Sequence, residues 1–266
     1  MSFKFPTFEQ VDQLYSKFTT GSPGWRVAMR ARFGYFKPIA WYQAVISQLV
    51  GDQTKWIDIG CGKSIFQHNH DLSRELADRA ALLVGVDPSD TLDQNELVHE
   101  KSKSTLENYK TDHVFDLATM RMVAEHVENP NFFVETLSRL VGESGFVVVL
   151  TPNKWAIASL VAAVIPDRFH AAFARILSPR RLDEDVFPTV YRMNTRKDLR
   201  RVFSDNGFDE VCFSCAADCV LFQRFRFTYF FELLTWKVFS LLGMRYPENQ
   251  HFGRLSTTSL ARFSSP

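Results

Sequence analysis

From Trp56 onward the chain alternates short apolar, β-branched runs with stretches whose apolar residues recur at helical spacing. The runs WIDIG (56–60), ALLVGVD (81–87), LVHEK (97–101), HVFDLATM (113–120), GFVVVLT (145–151) and DEVCFSC (209–215) predict six strands, and STTSLARF (256–263) a last one. DLSRELADRA, NFFVETLSRLVG and TRKDLRRVFSDNG predict the intervening helices, the last two closed by Gly142 and Gly207 as C-caps. Such alternation predicts an α/β, doubly wound, mainly parallel sheet covered on both faces, with a ligand held beyond the carboxyl ends of the strands.

Three parts depart from the alternation: residues 1–54, helical and aromatic-rich; residues 153–193; and residues 217–252. They read as a helical cap and two insertions forming a lid, around a cofactor-binding half spanning 55–152. No repeat or linker divides the chain, so one domain over 1–266 is expected.

Composition narrows the partners. Lys and Arg (31) nearly balance Asp and Glu (30), which leaves no overall field for nucleic acid, and none is expected as a partner. Four cysteines (Cys61, Cys212, Cys215, Cys219) do not make a secreted disulfide framework, so a reducing, cytoplasmic setting is expected. The N-terminus reads as mature protein without an export signal. Neither 155–166, too short, nor 225–242, interrupted by Arg226, Glu232 and Lys237, predicts a membrane span. The 25 phenylalanines are in excess. Many fall in FRFTYFFELLTWKVFSLL, apolar nearly all round, which implies core packing, a hydrophobic partner or peripheral contact with a membrane interface.

The chemistry centres on KWIDIGCGKSIF. Gly60 and Gly62 allow a sharp turn and close approach of a ligand. A dinucleotide loop would need a third glycine, and a P-loop a different spacing before Lys63 and Ser64. Asp87, closing VGVD, stands where such sheets hold a ribose. Asp58 at the loop's entrance would repel a pyrophosphate and favour an ammonium or sulfonium. Together these fit adenosine joined to an amino acid, S-adenosyl-L-methionine, and disfavour a nicotinamide cofactor.

These residues resemble the class I S-adenosylmethionine-dependent methyltransferases, whose fold is a Rossmann-like seven-stranded sheet with the last strand antiparallel. IDIGCGKS is similar to their first motif and GVDPS to their second. FDLATMRMVAEHVENP and VGESGFVVVLTPNKW are similar to their fourth- and fifth-strand blocks. TMRMVAEHVENP is similar to the branch that includes the ubiquinone-biosynthesis O-methyltransferases, and Arg32 in ARFGY is similar to a basic residue of that branch. Ser64 replaces the usual third glycine, where its hydroxyl would bond the ligand carboxylate, and VGESGF replaces a proline-glycine-glycine turn.

The resemblance implies Asp58, Gly60, Cys61, Gly62 and Ser64 around the methionine moiety and Asp87 with Pro88 at the ribose. It places Leu106 or Glu107 near the adenine and Met120 with Arg121 at the end of the fourth strand. Met120 reads equally as a core methionine. His126 is the candidate general base, although a structural role in the turn is the commoner fate of a lone histidine. His68 and His70 lack a third ligand, and the clustered cysteines a fourth, so no metal is expected. The implied function is methyl transfer, most naturally to oxygen, on a small hydrophobic or aromatic acceptor, with Tyr191, His170 or Arg192 as polar handles. A non-catalytic cofactor-binding or membrane-associated partner that kept the fold is the alternative.

Overall fold

A computed structural model describes residues 5–18, 24–67, 69–154, 187–219, 222–244, 246 and 250–257. Three helices, α1 (Phe8–Phe18), α2 (Trp25–Phe33) and α3 (Pro38–Leu49), precede the sheet. Then follow β1 (Lys55–Ile59), α4 (His70–Arg79), β2 (Leu82–Val86), β3 (Glu100–Ser102), β4 (Phe115–Arg121), α5 (Pro130–Leu140) and β5 (Val141–Pro152). The described chain resumes with α6 (Arg196–Asp205), β6 (Phe208–Ala216), α7 (Arg226–Leu241) and β7 (Gln250–Thr257).

The seven strands form one sheet in the order β3-β2-β1-β4-β5-β7-β6. The first five run parallel, and β7 lies antiparallel between β5 and β6. The predicted mainly parallel sheet with an antiparallel last strand is therefore present. Because side chains alternate across a strand, each strand supplies both faces. Ile57, Val84, Val147 and Val149 pack with α5 and α6 residues on one face. Trp56, Leu83, Val148 and Leu150 pack with α3 and α4 residues on the other.

Four details differ from the sequence reading. The last strand begins at Gln250, six residues before the predicted start, so the end of the 217–252 insertion is itself strand. Gly142 caps no helix: α5 passes directly into β5 at Val141, which is already extended. Phe115 pairs with Val141 and Leu117 with Phe146, so GES bulges out of β5 where a turn was expected. β3 starts late because the His99 ring replaces its backbone carbonyl, Nδ1 accepting from the Leu83 amide at 3.0 Å. Gly207 does follow the end of α6 in a left-handed conformation, φ +82°.

Of the expected lid, the 153–193 part lies mainly outside the described residues, as do His68, Arg168, His170 and Arg175. In the 217–252 part, α7 packs against α2, burying Tyr229 and Leu233 with Tyr35 and Cys219.

Candidate active site

The loop after β1 is fixed by its glycines and by one carboxylate. Gly60 has φ +69°, and a Cβ there would sit 2.4 Å from Val123 Cγ2, so no side chain fits. Gly62 has φ +47° and donates its amide to Asp87 Oδ2 at 2.8 Å. The Ser89 amide donates to Asp87 Oδ1, also at 2.8 Å. Asp87, buried at the end of β2, thus ties the two loops together. Its oxygens retain further lone pairs, as a ribose ligand would require. Asn95 Nδ2 closes the turn from below, donating to the Gly62 carbonyl at 3.1 Å.

Asp58 is 5% exposed and held by a relay: Trp56 Nε1 donates to Thr119 Oγ1 at 2.7 Å, and that hydroxyl donates to Asp58 Oδ1 at 2.6 Å. Burial pushes the Asp58 carboxyl up to about 7, against the opposing pull of Thr119 and Arg121, with Asp87 adding to the rise. A buried acid in this state gains by receiving a cation. From α3, Tyr42 reaches the same place; its hydroxyl is buried without a hydrogen-bond partner, and burial beside Asp58 raises its phenol well above the ordinary value. Ser64 Oγ, on the loop, is likewise buried and without a partner. Two orphaned hydroxyls and a buried carboxyl that an adjacent cation would ionise fit a ligand bearing both an ammonium and a carboxylate.

Sequence reasoning missed Trp56, Thr119 and Tyr42 in this arrangement. Thr119 lies one residue from Met120 in a strand already identified, and strand pairing sets it beside Asp58. Tyr42 could not be found that way, because α3 reaches the loop only through tertiary packing.

The other predicted residues are spread around this centre. Cys61 is buried with its Sγ against Gly85, where a Cβ would come within 2.7 Å, and burial pushes its thiol up. Pro88 is exposed beside Asp87. Leu106 and Met120 are both buried in the core on the α5 face, Met120 paired with Ile59 and Val149. Glu107 and Arg121 are half-buried, the latter followed by Met122 at φ +58°.

Beyond β4, Glu125 and His126 form a turn that gathers residues 187–194. Glu125 is buried; its side chain accepts from Thr151 Oγ1 at 3.1 Å, and its carbonyl accepts from the Val190 and Tyr191 amides at 2.7 and 3.1 Å. Asn194 Nδ2 donates to Thr151 Oγ1 at 2.6 Å. His126 Nδ1 lies 3.0 Å from the Pro188 carbonyl and Nε2 3.9 Å from Glu125 Oε1. A carbonyl only accepts, so Nδ1 carries a proton, and in the neutral form of the ring the lone pair lies on Nε2. Tyr191 sits at φ +49°, and Arg192 Nη1 donates to the Glu128 carbonyl at 2.6 Å.

A cavity of about 250 Å³ lies beside β6 and β7, walled chiefly by Phe5, Tyr35, Phe36, Trp41, Trp236 and Phe252. Its lining includes no residue of the glycine loop and lies at the β7 side of the sheet. Tyr42 joins the two places: its ring meets Phe252 edge-on at 6.3 Å and Phe66 at 6.4 Å. His70 opens α4 behind the cap Asn69, and no group of metal-ligating side chains occurs among the described residues. Cys212 and Cys215 are half-buried and unbridged, Cys215 Sγ lying 3.5 Å from His251 Nδ1.

Known proteins bear on this arrangement. A family model described as a methyltransferase domain matches residues 32–212. The ubiquinone biosynthesis O-methyltransferase of Glaesserella parasuis serovar 5 is 28% identical over 151 residues, 49% of this chain and 61% of that protein. Its mitochondrial counterpart from Dictyostelium discoideum is 32% identical over 128 residues, 41% of this chain and 38% of the relative. The chain thus spans less than two thirds of the length of either relative. Among solved structures, an S-adenosylmethionine-dependent methyltransferase from Mesorhizobium loti superposes with a TM-score of 0.51 at 15% identity, covering 80% of this chain and 94% of that one, a likeness of fold. With the family model spanning more than half of its residues, the chain belongs to the methyltransferase domain family.

Proposed function

We propose that this chain uses S-adenosyl-L-methionine to methylate an oxygen of a small hydrophobic or aromatic acceptor. The observation that carries the reading is the buried Asp58, held through Thr119 beside the Gly60–Gly62 turn that Asp87 staples. When bound, that cofactor supplies an electrophilic methyl group. Asp58 and the Tyr42 hydroxyl take its ammonium end, Ser64 Oγ and the loop its carboxylate, and Asp87 with Pro88 its ribose. Leu106, Glu107, Met120 and Arg121 border the remainder. Most of the work is orientation and exclusion of water, which needs few reactive side chains.

His126 is the base in this reading. Its Nε2 lone pair takes the proton that the acceptor hydroxyl gives up as it is methylated. The aromatic cavity beside β7 supports an apolar acceptor, and the names of the relatives support oxygen as the atom modified. Tyr191 and Arg192 stand on the segment that the Glu125 turn gathers, as polar handles.

Calorimetric titration tests the cofactor. S-adenosylmethionine and S-adenosylhomocysteine should bind, Asp58→Asn should weaken both, and NADH should give no heat; NADH binding without a response to the sulfur compounds overturns the assignment. Transfer of a labelled methyl group to hydrophobic phenols tests the acceptor. Transfer confined to charged, polar acceptors would sink that part.

A further inference from the structure

Helix α7 carries apolar side chains on two opposite faces. Tyr229, Leu233 and Trp236 turn inward onto Tyr35 and α2. At about 100° per residue, Phe227, Phe231, Leu234, Val238 and Leu241 fall within a single stripe about 80° wide on the far side. All five are exposed, Phe227 at 73% and Leu241 at 75%, and Phe225 and Leu242, at the two ends of the helix, are exposed as well. A contiguous apolar face of this kind marks an interaction surface.

The charge around it is one-sided. Residues 24–37 hold four Lys or Arg and no acid, of which Arg26 and Arg32 are exposed while Arg30 and Lys37 are half-buried and face Asp218; residues 222–244 hold three and a single acid, Glu232. Glu232 is turned inward, 5% exposed, and accepts from the Phe222 amide. The two segments are neighbours: Arg26 Nε donates to the Gln223 carbonyl at 2.9 Å, and Arg26 and Arg226 both lie over the Trp25 ring, at 5.1 and 5.8 Å. On the helix, Arg226 and Lys237 run along one edge of the apolar stripe. In a chain whose charges otherwise balance, the exposed Arg26, Arg32, Arg224 and Arg226 beside the apolar stripe are a local choice of partner.

We infer that α7, flanked by α2, is a docking surface for an anionic membrane, with the Phe and Leu stripe set into the headgroup and acyl boundary and the arginines on lipid phosphates. No helix of the described residues is long and apolar enough to cross a membrane, so this contact is peripheral. A second copy fits less well. Pairing α7 with α7 about a two-fold axis would bring the same cations together.

The test is co-sedimentation of the full chain with two kinds of vesicle, one of phosphatidylcholine alone and one of equal parts phosphatidylcholine and phosphatidylglycerol. Binding to the anionic vesicles, weak binding to the neutral ones and release by salt are expected. Phe227→Ser with Leu241→Ser, both at exposed positions, should weaken binding at least tenfold with an unchanged melting temperature. Arg224→Gln with Arg226→Gln should weaken it roughly thirtyfold at low salt. Equal sedimentation of the native chain and both variants, or no binding to either vesicle, overturns the inference. So does a dimer in analytical ultracentrifugation that the Phe227 and Leu241 substitutions dissociate, for a second copy would then own the face.

Discussion

At the end of β1, three donors converge on two carboxylates, whereas around Phe5, Phe36 and Trp41 the contacts are ring against ring. Thr119, Gly62 and Ser89 hold Asp58 and Asp87 at 2.6–2.8 Å. In the aromatic cap, Phe5 stacks on Trp41 with centroids 5.6 Å apart, and Tyr35 meets Trp236 edge-on at 5.0 Å. The first region is specified by directional bonds and two left-handed glycines, so one wrong atom alters what it binds. The second is specified by apolar area and tolerates changes of angle. Substitutions in the cap should therefore cost stability and spare the cofactor, while substitutions in the loop should cost cofactor binding more than stability.

The sharpest test of the cap is Phe252→Ala. Phe252 is 2% exposed and touches both Phe5 and Tyr42 edge-on. Its loss should cost about 3–5 kcal/mol in a denaturant titration, with cofactor affinity of the folded protein unchanged. An affinity loss beyond the loss of folded protein would mean that the cap and the loop act as one unit through Tyr42.

Next comes the dependence of stability on pH, which isolates Asp58. Its folded value, about 7, lies above the ordinary value of an aspartate near 3.9, so between them the folded state keeps a proton that the unfolded state has released. Stability is then fullest below about pH 4, falls as pH rises to about 7, and is level above, a loss on the order of 4 kcal/mol. Asp58→Asn should flatten that fall. Cofactor affinity should move the other way, rising up to about tenfold per pH unit until about pH 7, because an ammonium is held by the carboxylate form. A stability profile unaffected by Asp58→Asn would place the titration elsewhere.

Gly60→Ala probes the backbone of the loop. The left-handed φ costs an alanine about 1–2 kcal/mol, and Val123 must give way to the new Cβ, for a total of about 2–3 kcal/mol in the melting curve. Binding of S-adenosylhomocysteine should fall much further than stability does. If binding survives, the loop is scaffold and the ligand lies elsewhere.

The same contrast governs what could be read from the sequence. The order of strands and helices was legible, because the change from period-2 to helical spacing follows from burial on a pleated sheet or a helix face. Asp58, Gly60, Gly62 and Asp87 were legible because backbone conformation and charge demand those residue types. β7 was misplaced: STTSLARF has the alternation of a strand, but Gln250–Thr257 pairs along both β5 and β6. Tyr42 was invisible, since nothing local distinguishes it from any tyrosine on an apolar helix. Only the packing of α3 over Phe66 and Phe252 brings its hydroxyl to Asp58.

Ser64 offers the smallest effect and the finest distinction. Standing where the resembling family has glycine, Ser64 would tolerate replacement by Gly if the loop needed only a small residue there. The structure gives the hydroxyl a position that is buried and without a partner, which in the absence of ligand is a cost. Ser64→Ala should then raise stability by about 1 kcal/mol while weakening S-adenosylhomocysteine several-fold, opposite signs that simple loosening of the loop cannot produce. Ser64→Gly adds backbone freedom to the same deletion, so it should weaken the ligand at least as much and gain less stability. Should both variants bind as well as the native chain, the hydroxyl is idle, and the loop asks only for small size at this position.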